Sequence, residues 1–179
     1  MTAPGAAIVV ASAGPEETQA LAAAIAPLCR AGDVLLLAGD LGSGKTTFAQ
    51  GFGRGLGITE PITSPTFALV REYRLHDGAG ESGPGLTTLL HADVYRLEQL
   101  GEIAELGLGE LVEDGAVALV EWGDVAEPVL GEGALSLRLE AGPEEGDDRR
   151  TVTIGRSGRR WADRWERLSD VLAPWAVGG

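Results

Sequence analysis

The chain has no asparagine and, in 179 residues, one cysteine, one methionine and a single lysine. Each scarcity excludes something. The lone Cys29 has no partner for an intrachain disulfide, so a disulfide-stapled secreted scaffold is excluded and a reducing compartment fits. No stretch approaches the roughly 20 consecutive apolar residues a membrane-spanning helix needs, and Met1–Ser12 lacks the basic start and long apolar run of a secretory signal. The expectation is a cytoplasmic protein with no membrane association. Fourteen basic residues stand against 27 acidic ones, a net charge of -13. At long range that charge repels polyphosphate backbones, which argues against direct DNA or tRNA binding.

What is present suits one globular domain over 1–179, a length that buries one sizeable core. Ile8–Ala11 reads as a strand. Pro15–Arg30 reads as a helix, with proline and two glutamates in its first turn and Gly32 past its end. Val34–Ala38 is a continuous apolar run of the kind found in a sheet covered on both faces, and it leads into a glycine-rich loop and a helix from Lys45 to about Leu56. Phe67–Leu75 and Leu86–Ala92 are predicted strands joined by the loop His76–Gly85. A helical stretch over Leu97–Leu111 follows, then strands at Val117–Val120, Ala134–Glu140 and Thr151–Ile154. An arginine-rich helix over 160–173 closes the chain. The predicted fold is α/β: a mostly parallel central sheet flanked by helices in three layers.

The strongest local pattern is Gly39-Asp40-Leu41-Gly42-Ser43-Gly44-Lys45-Thr46, which matches G-x-x-x-x-G-K-[ST] and sits between a strand and a helix, as a phosphate-binding loop requires. Glycines let backbone N–H groups turn toward phosphate oxygens, and the helix N-terminus adds positive dipole. Lys45 reaches the outer phosphates, and the Thr46 hydroxyl is a Mg2+ ligand. All thirteen other positive charges in the chain are arginines, yet this position carries the compact ammonium that fits beside a phosphate. Such a loop needs a carboxylate from a neighbouring strand for its metal, and two apolar strands end in one, Asp93 and Glu121. Spacing does not rank them as metal ligand, water-positioning group or base. Ser64-Pro65-Thr66 offers a hydroxyl, Thr66, on a segment stiffened by two prolines, which suits a nucleotide-sensing switch or a plain turn. Trp122 reads first as core, His91 as a satisfied structural histidine, and the C-terminal arginines as a solvated helix face.

Gly-Asp-Leu-Gly-Ser-Gly-Lys-Thr-Thr at 39–47, Ser-Pro-Thr-Phe at 64–67, His-Ala-Asp-Val-Tyr-Arg at 91–96 and Val-Glu-Trp at 120–122, in this order, resemble the hallmarks of the TsaE family, the YjeE-type P-loop ATPases that take part in making threonylcarbamoyladenosine in tRNA. The resemblance implies that Lys45, Thr46 and Thr47 belong to the ATP site, that Thr66 belongs to the first switch, and that Asp93 and Glu121 serve Mg2+ and hydrolysis. It implies that Trp122 lies near the nucleotide and that Thr18 approaches the adenine. It further implies partners TsaD and TsaB, whose complex the ATPase resets, with tRNA engaged only through that complex. The loop 76–85 and the arginine-rich tail beyond Arg149 depart from the family pattern.

Two other readings use the same residues. A small-molecule kinase shares the loop and sheet, but such kinases clamp phosphates with lid arginines, and Leu97–Gly133 contains none. A nucleotide-sensing binding module with negligible turnover would use Thr66 and Glu121 to report nucleotide state. Guanine recognition through an Asn-Lys-x-Asp motif is excluded by the absence of asparagine, so the expected nucleotide is ATP.

Overall fold

The computed structural model describes residues 7–65, 69–76, 85–95 and 100–178. Seven strands form one sheet: β1 (Ile8–Ser12), β2 (Val34–Ala38), β3 (Val70–Arg74), β4 (Thr88–Asp93), β5 (Ala116–Glu121), β6 (Leu135–Ala141) and β7 (Arg150–Arg156). Their order is β1-β7-β6-β2-β5-β4-β3. The middle four strands, β6-β2-β5-β4, run parallel, whereas β3 at one edge and the β7-β1 pair at the other are antiparallel to their neighbours. The expected sheet is therefore parallel at its centre and mixed overall. β5 is buried along its whole length, which its unbroken apolar run demands.

Among the described residues, six helices cover the two faces. On one side α1 (Pro15–Ile25), α2 (Lys45–Gly55) and α6 (Trp165–Leu172) pack Leu21, Ile25, Phe48, Phe52, Leu168 and Leu172 onto Leu35, Leu37, Val117 and Leu119 of the sheet. Phe48 and Phe52, one turn apart on α2, are fully buried with ring centroids 6.4 Å apart. Burial of each contributes about 2 kcal/mol. α1 and α2 touch through Gly51, where any Cβ would collide with the Gln19 backbone. On the other side α3 (Leu100–Glu105), α4 (Leu108–Glu113) and α5 (Gly123–Leu130) pack Ile103, Leu108, Val112 and Ala126 onto Leu36, Leu90, Ala118 and Val120. These strand residues alternate between the two cores, which is why a sheet covered on both faces carries continuous apolar runs. No described helix is long and apolar enough to cross a membrane.

Boundaries differ where special residues intervene. α1 stops at Ile25 because Pro27 has no N–H to continue it, and Ala26–Leu28 form a 3-10 turn instead. Of the helical stretch predicted over 97–111, residues 97–99 lie outside the described residues and the remainder is two helices, broken where Gly107 adopts φ 65. α5 has no counterpart among the predicted elements, since its short span holds Gly123 and Pro128. The terminal helix is shorter than 160–173: a 3-10 turn at Ala162–Arg164 precedes Trp165–Leu172.

The C-terminal arginines are not simply a solvated face. Arg164 is only 4% exposed and forms a two-pronged ion pair with fully buried Asp33, at 2.6 and 3.0 Å. Asp33 also accepts from Arg160 Nε at 3.0 Å and from the Arg30 backbone N–H at 2.7 Å. This network pins α6 to the turn before β2, and the Arg164 guanidinium stacks 3.9 Å over the Trp161 ring. Cys29, fully buried beside it, has its pKa raised well above the ordinary thiol value, by burial first and by the Asp33 charge second. Arg164→Ala leaves the Asp33 carboxylate in the interior without its main partner, so urea unfolding should show a loss of about 3 kcal/mol. Arg30→Ala, which breaks only the exposed pair with Asp163, should barely move the midpoint.

Candidate functional site

The site forms where β2 hands over to α2. Gly42 and Gly44 take φ 79 and φ 101, left-handed conformations in which a side chain is strained, and a glycine-rich turn of this kind can present backbone N–H groups to a phosphate. Asp40, Leu41 and Gly42 form the exposed crest of the loop, Ser43 is buried, and Thr47 is half-buried at the start of α2. Lys45 folds back under the crest. Its Nζ donates to Gly39 O at 2.7 Å, to Asp40 O at 2.8 Å and to Ser43 Oγ at 3.4 Å. Burial lowers the Lys45 pKa below the ordinary lysine value, against the opposing pull of Glu121, Asp93, Asp124 and Asp40.

The two carboxylates arrive by register. Asp93 pairs with Glu121 across parallel β4 and β5, and Glu121 pairs with Leu37 of β2, so both stand level with the start of the loop. Glu121 shares the α2 side of β5 with Val117 and Leu119 and is 2% exposed. Thr46 Oγ1 donates to its Oε1 at 3.1 Å and Ser64 Oγ to its Oε2 at 3.2 Å, while the two hydroxyl oxygens are 2.7 Å apart. Buried His91 places Nε2 at 3.6 Å from Glu121 Oε1. That distance makes the contact electrostatic rather than a hydrogen bond.

These neighbours separate the two acids. Burial alone would raise the Glu121 pKa, but His91 and the Thr46 and Ser64 hydroxyls outweigh it and hold the carboxyl below its ordinary value. Asp93 is shifted the other way, raised by burial first and by the Glu121 charge, with the Tyr95 N–H at 3.0 Å only partly offsetting both. Two close carboxylates shifted in opposite directions from their ordinary values can divide metal binding from proton handling.

Trp122 is the one non-glycine among the described residues with a positive φ, at 60. The left-handed region costs a bulky residue roughly 1–2 kcal/mol. The cause is next door: α5 starts at Gly123 directly over β2, and a Cβ there would come within 2.6 Å of the Leu36 Cβ. The reversal turns the indole toward the loop, 4.2 Å from Lys45 Nζ and 4.8 Å from the Tyr95 ring. Trp122 is thus half-buried at the loop, packed against the edge of the core beneath α5.

The structure brings Lys45, Thr46, Asp93, Glu121 and Trp122 together. Thr66 lies outside the described residues. Thr18 stands apart: it is 1% exposed in the first turn of α1, its Oγ1 lying 2.7 Å from Ser12 Oγ and 3.1 Å from Gly14 O. Its neighbours Ser12 and Glu17, not Thr18 itself, line an open cavity of about 400 Å3 that Pro143 and Arg150 also line. Sequence reasoning missed Ser64, whose signal was its place in the Ser-Pro-Thr segment, and Arg150, which carried no motif. His91 was expected to be satisfied, yet neither ring nitrogen has a hydrogen-bond partner among the described residues.

Thr46, Asp93 and Glu121 supply only hard oxygen donors, and just two of them are carboxylates. That set fits Mg2+, which completes its shell with phosphate and water. The glycine-rich turn before α2 and the buried Lys45 ammonium fit the phosphates.

A family model described as "Threonylcarbamoyl adenosine biosynthesis protein TsaE" matches residues 12–152. The chain is similar to the Bacillus subtilis tRNA threonylcarbamoyladenosine biosynthesis protein TsaE, at 41% identity over 155 residues, which cover 87% of this chain and 89% of that one. It is 41% identical to the Streptomyces coelicolor protein of the same name over 140 residues, 77% of this chain and 89% of that one. Among solved structures, the crystal structure of Bacillus subtilis YdiB superposes with a TM-score of 0.73 at 34% identity, covering 95% of this chain and 98% of the other.

Proposed function

Because the chain belongs to the TsaE family, we propose that it is a Mg-dependent ATPase, acting as one domain, that supports threonylcarbamoyladenosine formation in tRNA by binding and resetting a TsaD/TsaB transferase complex. The observation that carries the reading is the convergence of Lys45, Thr46 and Glu121 at the carboxyl ends of adjacent parallel strands, where open α/β sheets bind ligands.

In this reading Gly39–Thr46 wrap the outer phosphates of ATP with backbone N–H groups, and Lys45 neutralises the charge that develops on them. Thr47 supports the first turn of the helix beneath them. The Thr46 hydroxyl and the Glu121 and Asp93 carboxylates would hold Mg2+, which when bound draws charge off the bridging phosphate oxygens. Glu121, ionised and clamped by two hydroxyls, orients the attacking water. Asp93, whose pKa burial raises from its ordinary value, handles the proton. Trp122 walls the site beside Lys45, and Thr66 reports the γ-phosphate to the partner. The net charge of -13 suits a protein that meets tRNA only through its partners in the cytoplasm.

The direct test is ATP hydrolysis by the chain alone and with TsaD, TsaB and tRNA. Slow turnover alone, stimulated by the partners, is the expected result. Equal partner binding with ATP, ADP or no nucleotide would overturn the reading.

A further inference from the structure

Arg150 is the second cation of the loop. It opens β7, paired with Ser12 of β1 on one side and Ala141 of β6 on the other. Alternation puts it on the face of Val152 and Ile154, the side covered by α1 and α2. From there its guanidinium reaches across the sheet to the loop, where NH2 donates to Gly42 O at 3.2 Å. NH1 is held by Asp147 O at 2.6 Å and Arg149 O at 2.8 Å in the β6–β7 turn. Nε packs against Gly44, 3.5 Å from where a Cβ would stand. This Nε is buried and without a hydrogen-bond partner among the described residues. A charged side chain is thus steered onto the loop with one donor unmatched, an arrangement that costs stability unless a ligand satisfies it.

Strand order gives the ligand its direction. Glu121 and Asp93 lie on the β5-β4 side of the loop, so a triphosphate whose outer end meets Lys45 and Thr46 runs inward toward β6, β7 and β1. Arg150 stands on that path, between the loop and the cavity of about 400 Å3 lined by Ser12, Glu17 and Pro143. That volume lies within the range of small-ligand pockets. Resting on the ATP reading above, we propose that Arg150 binds the innermost phosphate of the nucleotide and joins the phosphate loop to a nucleoside cavity between β1, α1 and the β6–β7 turn. A guanidinium–phosphate contact is charge-assisted and stronger than a neutral one.

The test is calorimetric titration of the full chain with Mg-ATP and Mg-ADP, paired with amide hydrogen exchange of residues 39–46 in the nucleotide-free chain. Arg150→Ala should weaken both nucleotides by tenfold or more and to the same extent, since both keep the innermost phosphate, while loop exchange stays at the wild-type rate. Arg150→Lys, which keeps a point charge, should recover part of the loss. Affinities within twofold of wild type would overturn the assignment. So would faster loop exchange in Arg150→Ala, which would make the residue a strut for Gly42 and nothing more. Failure of the wild-type chain to bind either nucleotide would instead defeat the ATPase reading itself.

Discussion

Lys45→Ala should weaken Mg-ATP binding by at least roughly thirtyfold while the chain stays folded. The ammonium is the only lysine in the molecule, it is 7% exposed, and Glu121, Asp93, Asp124 and Asp40 act on it together. Removing it leaves a site whose remaining charges at that end are carboxylates, facing a ligand of several negative charges in a poorly solvated crevice. Loss of one partner from a desolvated charge pair costs about 2–5 kcal/mol, and each 1.4 kcal/mol is about tenfold in affinity. The expected weakening is therefore between roughly thirtyfold and several thousandfold. Lys45→Arg should not rescue, because a planar fork cannot take up the same three acceptors under the loop, Gly39 O, Asp40 O and Ser43 Oγ. Isothermal titration measures the effect, and an unchanged urea midpoint shows that folding is intact. A dissociation constant within threefold of wild type would remove Lys45 from the site.

How much of this was legible depends on whether a feature is local or long-range. The loop was legible because its strand, glycines, lysine and helix are consecutive, and Asp93 and Glu121 because each ends an apolar run that must be a buried strand. Their meeting needed only the rule that parallel strands gather their carboxyl ends. What escaped has no local marker. Asp33 and Arg164 are 131 residues apart, so nothing near either foretells the ion pair that removes Arg164 from solvent. Arg150 reaches Gly42 across 108 residues only because β7 returns antiparallel beside β6. The backbone reversal at Trp122 follows from how closely α5 crosses Leu36, a packing distance that sequence periodicity does not encode. Ser64 joined the site through a hydroxyl whose reach to Thr46 depends on where the Pro61–Pro65 segment lies.

Separating binding from turnover falls to Glu121. Glu121→Ala should lower ATP hydrolysis by at least about a hundredfold, the usual scale for a lost proton-handling or positioning group, while Mg-ATP affinity stays within about tenfold. Affinity is spared because Lys45 and the loop amides do not depend on the carboxylate, and because Thr46 and Ser64, 2.7 Å apart, can keep their hydrogen bond once the carboxylate is gone. Turnover is lost because Glu121 is the buried carboxylate clamped by the Thr46 and Ser64 hydroxyls, a position that Asp93, one strand away on β4, does not occupy. The deletion also removes one of the charges that raise the Asp93 pKa, so any residual activity should lose its acid limb at lower pH than in wild type. Single-turnover hydrolysis across a pH series, alongside titration with a non-hydrolysable ATP analogue, reads both effects. Wild-type turnover in Glu121→Ala would show that Asp93 alone carries the chemistry, and equal loss of binding and turnover would reassign Glu121 to holding the ligand.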